Sequence, residues 1–258
     1  MNFNSLKQNS NNLSRLTQAI QQFNQQPQSQ GDDRFWYPEV DKSGNGYAVI
    51  RFLPAPGEED LPFIRLFEHS FKGPSGSWYI ENSLTTLGKP DPVSEYNTKL
   101  WNSGIEQDKD QARKQKRQLR FISNIYVVQD QQNPENEGKV FLFKFGKKIF
   151  DKINEAMNPA FADEVAINPF DMWKGANFKL KIRKVDGYQN YDKSEFESAS
   201  ALMNDDEELE KIWKQEHSLQ DLVSDKEFKA YDDLKARLDK VLGATDVPKT
   251  TVEQARAK

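Results

Sequence analysis

The sequence contains no cysteine. Disulfides, thiolate metal sites, cysteine nucleophiles and iron–sulfur clusters are excluded together. Histidine is almost as scarce: His69 and His217 are the only two in 258 residues, too few for a histidine-rich metal site or for most hydrolase triads. His217 stands in the polar stretch WKQEHSLQDL and is expected to be a solvated helical residue. No apolar run approaches the roughly 18 to 20 residues that span a bilayer, and the polar start MNFNSLKQNSNN has no apolar centre of the signal-peptide kind. Neither a membrane span nor secretion is expected. The phosphate-loop and hydrolase patterns GxxxxGKS/T, GxGxxG, HExxH and GxSxG are missing, and SGNG and GPSGS read as hairpin turns. An enzyme is not expected. A metal nuclease with dispersed carboxylate ligands is kept only as a distant alternative.

What is present is aromatic and charged. Apolar residues make up 36%, but 17 Phe, 8 Tyr and 5 Trp supply a large share of them, so much of the apolar surface is flat rings. The length suits one elaborated domain or a domain with appendages. Net charge is −4, which argues against a uniformly basic surface and directs attention to local clusters.

Along the chain, Leu6, Leu13, Leu16, Ile20 and Phe23 fall at helical spacing, so residues 1–22 read as an amphipathic arm. Its apolar face can dock on its own core or on another subunit. The Gln-rich segment NQQPQSQGDD follows, giving a linker over 23–33. From Phe35 the period becomes two. FWYPEV and YAVIRFLP around KSGNG, LPFIRLFEHSF and WYIEN around GPSGS, RFISNIYVVQD and KVFLFKFG around NPENEG, and finally ANFKLKIRKV read as hairpin strands of a small closed or partly open barrel. Acidic helices are expected in DDEELEKIWKQE and in SDKEFKAYDDLKARLDKVLG, the latter stopping at Gly243. Residues 244–258 read as a solvated tail.

Cations fall in three groups. Lys109, Arg113, Lys114, Lys116, Arg117 and Arg120 lead into one strand with Asp110 as the only acid among them. Lys139, Lys144, Lys147, Lys148 and Lys152 form the second group, and Lys174, Lys179, Lys181, Arg183 and Lys184 the third. Each alone could be a solvated face; three on one barrel point to a polyanion. Aromatics interleave with them. Phe141, Phe143 and Phe145 share one strand face and can be core or ring surface. Tyr188 and Tyr191, in the polar turn DGYQNYD, suit base stacking beside lysines or packing on a neighbouring loop.

AVIRFLP, WYIE, PENEGKVF, FGKKI-DKIN and WKGANF-LK, in order between residues 34 and 192, resemble the helix-destabilising single-stranded DNA-binding proteins of T-even-type bacteriophages. The resemblance implies an OB-fold core over 34–243 with an inserted subdomain at about 62–118, mixed β with α, and cooperative, sequence-tolerant coating of single strands. That activity would serve phage DNA replication, recombination and repair in the cytoplasm of an infected bacterium. By position it implies phosphate contacts from Arg51, Arg113, Lys114, Lys116, Arg117 and Arg120. Stacking is implied for Trp101, Phe143, Tyr188 and Tyr191. Self-association of protomers on the DNA is implied through Leu6, Lys7, Leu13, Leu16 and Ile20, with replication and recombination proteins as further partners.

The sequence also departs from that family. The family holds its subdomain with zinc on one histidine and three cysteines; here His69 remains, the position after WYIEN is Ser83, and the cysteine pair is reduced to Pro92–Ser94. Serine is a poor zinc ligand, so a zinc-free subdomain packed by Phe71, Trp78 and Tyr79 is expected. Ile122 replaces a DNA-site tryptophan, and the residues up to Lys258 hold no counterpart of the family's long acidic tail. The competing expectation is a replication-machinery adaptor whose barrel binds proteins and whose basic runs only solubilise it.

Overall fold

The structure, a computed structural model, describes residues 32–243. The amphipathic arm, most of the linker and the tail 244–258 lie outside the described residues. The unit that begins at Trp36 carries all the elements described below.

Strand β4 (Gln118–Asp130) is the spine of an eight-stranded antiparallel sheet. Along one edge it pairs with β5 (Val140–Gly146), Arg120 opposite Gly146 and Tyr126 opposite Val140. Its other edge is shared. The first half pairs with β2 (Ile64–Lys72) and the second with β1 (Gly46–Phe52), setting Leu66 opposite Arg120 and Arg51 opposite Tyr126. Beyond β2 lies β3 (Trp78–Asn82), and β6 (Phe178–Val185) pairs with β1. The short β7 (Tyr188–Asn190) and β8 (Glu195–Phe196) both attach to β6. The sheet curls into a half-barrel around Phe52, Ile125, Phe143, Phe145 and Phe178. Helix α3 (Lys147–Met157) starts where β5 ends and closes this core with Ile149 and Ile153, one helical turn apart. Phe150 of α3 stacks on Phe121 with ring centroids 3.9 Å apart.

A second apolar cluster forms around β2 and β3. Phe71, Tyr79, Leu84 and Val93 meet Leu234, Leu238 and Val241 of α5 (Tyr231–Leu242). Helices α1 (Pro92–Asn102) and α2 (Glu106–Lys114) pack on each other beside it and lead into β4. Gly73 lets α5 approach the β2–β3 turn: a Cβ there would lie 2.2 Å from the Val241 carbonyl oxygen. A third cluster joins Leu53, Val140 and Met172 to Leu209 and Ile212 of α4 (Asp206–Trp213).

The strand pattern follows the alternation in the sequence, with one correction. FWYPEV is not the partner of β1. Pro38 has no N–H for a ladder, and Trp36 instead anchors to β5 and β4, its N–H donating to Leu142 O and its indole N–H to Asp130 Oδ2. His217 lies past the end of α4, its backbone N–H and carbonyl both hydrogen-bonded to the Asn124 side chain. Among the described residues, no helix is long and apolar enough to cross a membrane.

Candidate nucleic-acid interface

The fold sorts the cations that the sequence only groups. In the third run Lys179, Lys181 and Arg183 are each matched by an acid, Glu197, Glu195 and Asp192 respectively. That run is therefore largely neutralised. In the first run Lys109 and Arg113 pair with acids of their own helix, Arg113 with both Glu106 and Asp110. Lys114, Lys116 and Arg117 are exposed and make no ion pair among the described residues. Arg117 lies over the ring of Phe67, 4.2 Å from its centroid. Arg65, two residues before Phe67 on the same face of β2, is also exposed and without an ion pair among the described residues. Arg65 and Phe67 are not among the sequence-predicted residues, although the alternation in FIRLFEHSF places them together.

Arg120 and Lys144 converge from neighbouring strands on Glu68, at 2.6 and 3.0 Å. Burial would raise the Glu68 carboxyl, but the hydrogen bond from Arg120 and the charge of Lys144 outweigh it and bring it below the ordinary value. Tyr191 sits within the electrostatic reach of Arg120; its phenol is pushed up by burial and partly drawn back by that cation. On the far side Lys148, at the start of α3, reaches Asn190 Oδ1 at 3.5 Å.

Two of the expected stacking rings are open. Trp101 is 50% exposed at the end of α1, with the Arg113 guanidinium 5.4 Å from its ring centroid, and Tyr188 is 79% exposed on β7. Tyr191 is half-buried against the main core.

Two expected contacts are corrected. Arg51 is fully buried: Nε donates to Asn177 Oδ1 at 3.0 Å, Nη1 to Asp171 O at 3.2 Å and Nη2 to Ser200 O at 2.8 Å. The segments carrying Asp171, Asn177 and Ser200 enclose it, and Gly175 leaves the space its guanidinium needs. Phe143 is 3% exposed and meets Trp36 edge to face at 5.3 Å, because the inward face of β5 is the one its alternation gives it. It is a core residue. Ile122, which stands in place of a ring, is likewise buried.

A family model described as gp32 DNA binding protein like matches residues 44–242. The chain belongs to this gp32-like DNA-binding family. The single-stranded DNA-binding proteins of Enterobacteria phages T2 and T4 are 42% and 41% identical to it over 222 residues, 83% of this chain and 72% of theirs. The single-stranded DNA-binding protein of Escherichia phage SV14 is 47% identical over 79 residues, 29% of this chain and 69% of its own length. The gp32-like family is one of DNA-binding proteins, not enzymes.

Within this gp32-like chain, the residues around His69 do not fit a zinc ion. The His69 ring is 1% exposed, with Nδ1 donating to Gln115 O at 3.0 Å and Nε2 facing Asp91 Oδ1 at 3.2 Å, off the line of an ideal hydrogen bond. Asp91 accepts from Ser83 Oγ at 3.0 Å, Leu84 N at 3.1 Å and Ser94 N at 2.9 Å. Burial would raise its carboxyl, but His69, the Ser94 amide and the Ser83 hydroxyl hold it at about 2. Both ring nitrogens and both carboxylate oxygens thus face protein groups, and the remaining donor is a hydroxyl. Among the described residues no three His, Asp or Glu side chains converge as a metal-binding group.

Proposed function

We propose that this chain binds single-stranded DNA without sequence preference and coats it cooperatively during phage DNA replication, recombination and repair in the infected host's cytoplasm. The observation that carries this reading is the exposed set Lys114, Lys116, Arg117 and Arg65, without ion pairs among the described residues, together with the exposed rings of Trp101 and Tyr188, in a chain of the gp32-like family. Cations of this kind track phosphates and give salt-dependent affinity, while rings stack on any base. The curled sheet is read as an OB-type core, with β2, β3, α1 and α2 as its inserted subdomain, held without zinc. The acidic α4 is read as lying away from the DNA path, since like charges repel.

The arm through Leu6, Lys7, Leu13, Leu16 and Ile20 is assigned to contacts with the next protomer, and replication and recombination proteins to the remaining partner surface. Titrating a labelled oligo-dT and a matched duplex tests the binding reading. Tight binding of the single strand only, weakening with salt, is expected; equal affinity for both, or none, contradicts it. Deleting residues 1–22 should weaken binding to long poly-dT while sparing a short oligonucleotide. Equal weakening on both would count against the arm's assignment.

A further inference from the structure

We propose that His69 is a positioning residue for DNA binding, setting the cationic segment 114–117 through a buried polar network. The proposal deepens the single-stranded DNA reading and rests on it.

Gln115 caps the C-terminal end of α2 and separates Lys114 from Lys116. The two lysines are exposed, yet Gln115 between them is 3% exposed. Its carbonyl oxygen accepts from His69 Nδ1 on β2 and from Asn97 Nδ2 on α1, both at 3.0 Å. The basic segment is therefore tied by its backbone to two separate elements at its midpoint. A segment fixed in this way presents its cations in one arrangement and gives up little freedom when phosphates bind.

The other side of the ring explains how His69 is held. Nε2 faces Asp91, which caps the N-terminus of α1 through Ser94 N and also gathers Ser83 Oγ and Leu84 N from the end of β3. Tyr79 packs edge to face on the imidazole, ring centroids 6.4 Å apart. Asp91 and Ser83, 1% and 0% exposed, thus join β3, α1 and β2 at one point, and His69 extends that junction to the root of β4. The donor set that does not fit zinc does fit this second task. A metal would bind the subdomain together, whereas this network does so and also grips the DNA-facing segment.

Two substitutions in the full-length chain separate positioning from stability. An asparagine amide nitrogen can occupy the place of Nδ1, so His69→Asn should keep the bond to Gln115 O while giving up the Asp91 interaction. A glutamine reaches the place of Nε2, so His69→Gln should do the reverse. Both are expected to lower the melting temperature. Only His69→Gln should lower affinity for oligo-dT and flatten its salt dependence, the slope of log K against log salt falling by about 0.7 for each phosphate left without its cation. Asn97→Ala should flatten the slope in the same direction, and it provides the test if neither His69 variant folds. Chelator treatment of the wild type should change neither melting nor slope. Equal slopes for both His69 variants, an unchanged slope in Asn97→Ala where neither folds, or stoichiometric zinc whose removal lowers the melting temperature, would overturn the proposal. Failure of the wild type to bind oligo-dT would instead overturn the DNA-binding reading itself.

Discussion

Arg117 holds its guanidinium 4.2 Å above the centroid of the Phe67 ring. The ring face supports the cation from below and leaves its N–H edge open, which suits a group that must meet a phosphate while keeping a fixed position. Phe67→Leu keeps the apolar packing and removes the π-face. Affinity for oligo-dT should fall about two- to five-fold, corresponding to about 0.5–1 kcal/mol of cation–π attraction, with the melting temperature nearly unchanged. Binding titrations alongside thermal melts would check this.

Arg51 contributes to stability instead of binding. Arg51→Met removes the donor to three oxygens in a buried pocket, leaving the Asp171 and Ser200 carbonyls and Asn177 Oδ1 without it. Stability should drop by roughly 3 kcal/mol, as when one side of a buried polar network is removed. Oligo-dT affinity measured well below the melting temperature should be unaltered. Denaturant unfolding gives the first quantity and a fluorescence titration the second.

Glu68 pairs with two cations at once. Replacing it with glutamine removes the carboxylate that Arg120 and Lys144 share. The sheet should become less stable, while affinity for single strands rises a few-fold at low salt and the salt dependence steepens. The opposite signs of the two effects make the variant informative: a fall in both would mean that Arg120 and Lys144 do not face the DNA.

Glu216 gives the protein a pH dependence of its own. Burial pushes its carboxyl up to about 9, the Glu59 carboxylate adds to the effect, and neither oxygen finds a hydrogen-bond partner among the described residues. The folded chain therefore keeps a proton that the unfolded chain releases near 4.5. The stabilisation is complete below that value and is lost as pH rises toward 9, at up to about 1.4 kcal/mol per pH unit. Melting temperatures measured from pH 5 to 9 should fall for the wild type and stay flatter for Glu216→Gln.

Much of this architecture is legible in the sequence because period-two alternation is a local signal. The phenylalanines of KVFLFKFG share a face, and β1 to β6 lie close to where their strings place them. Helix α1 is harder to read: Asp91 and Pro92 form an ordinary helix start, but Trp101 is exposed among polar residues while Tyr96 packs on the second cluster, which blurs the period. The site is legible only in outline. Cation clustering can be read along the chain, but ion pairing cannot: Lys179 and Lys181 are neutralised by residues that follow on β8 and just after it, and Arg120 by one on β2. Arg51 and Phe143 match DNA-site positions by resemblance, whereas alternation turns Phe143 into the core, and Arg51, on the face of β1 opposite Ile50 and Phe52, is covered by the segments carrying Asp171, Asn177 and Ser200.

The exposed Lys114, Lys116 and Arg117, without ion pairs among the described residues, are assigned the phosphate contacts, and everything proposed for DNA binding depends on them. The most direct test is the salt dependence of oligo-dT binding, followed by tryptophan fluorescence, for the wild type and for the combined variant Lys114→Ala, Lys116→Ala, Arg117→Ala. These residues are exposed, so the fold should survive and melting should match the wild type. The slope of log K against log salt should fall by about 2 once all three cations are gone. An unchanged slope and affinity in the folded variant would contradict the assignment and move the DNA to another surface of the molecule.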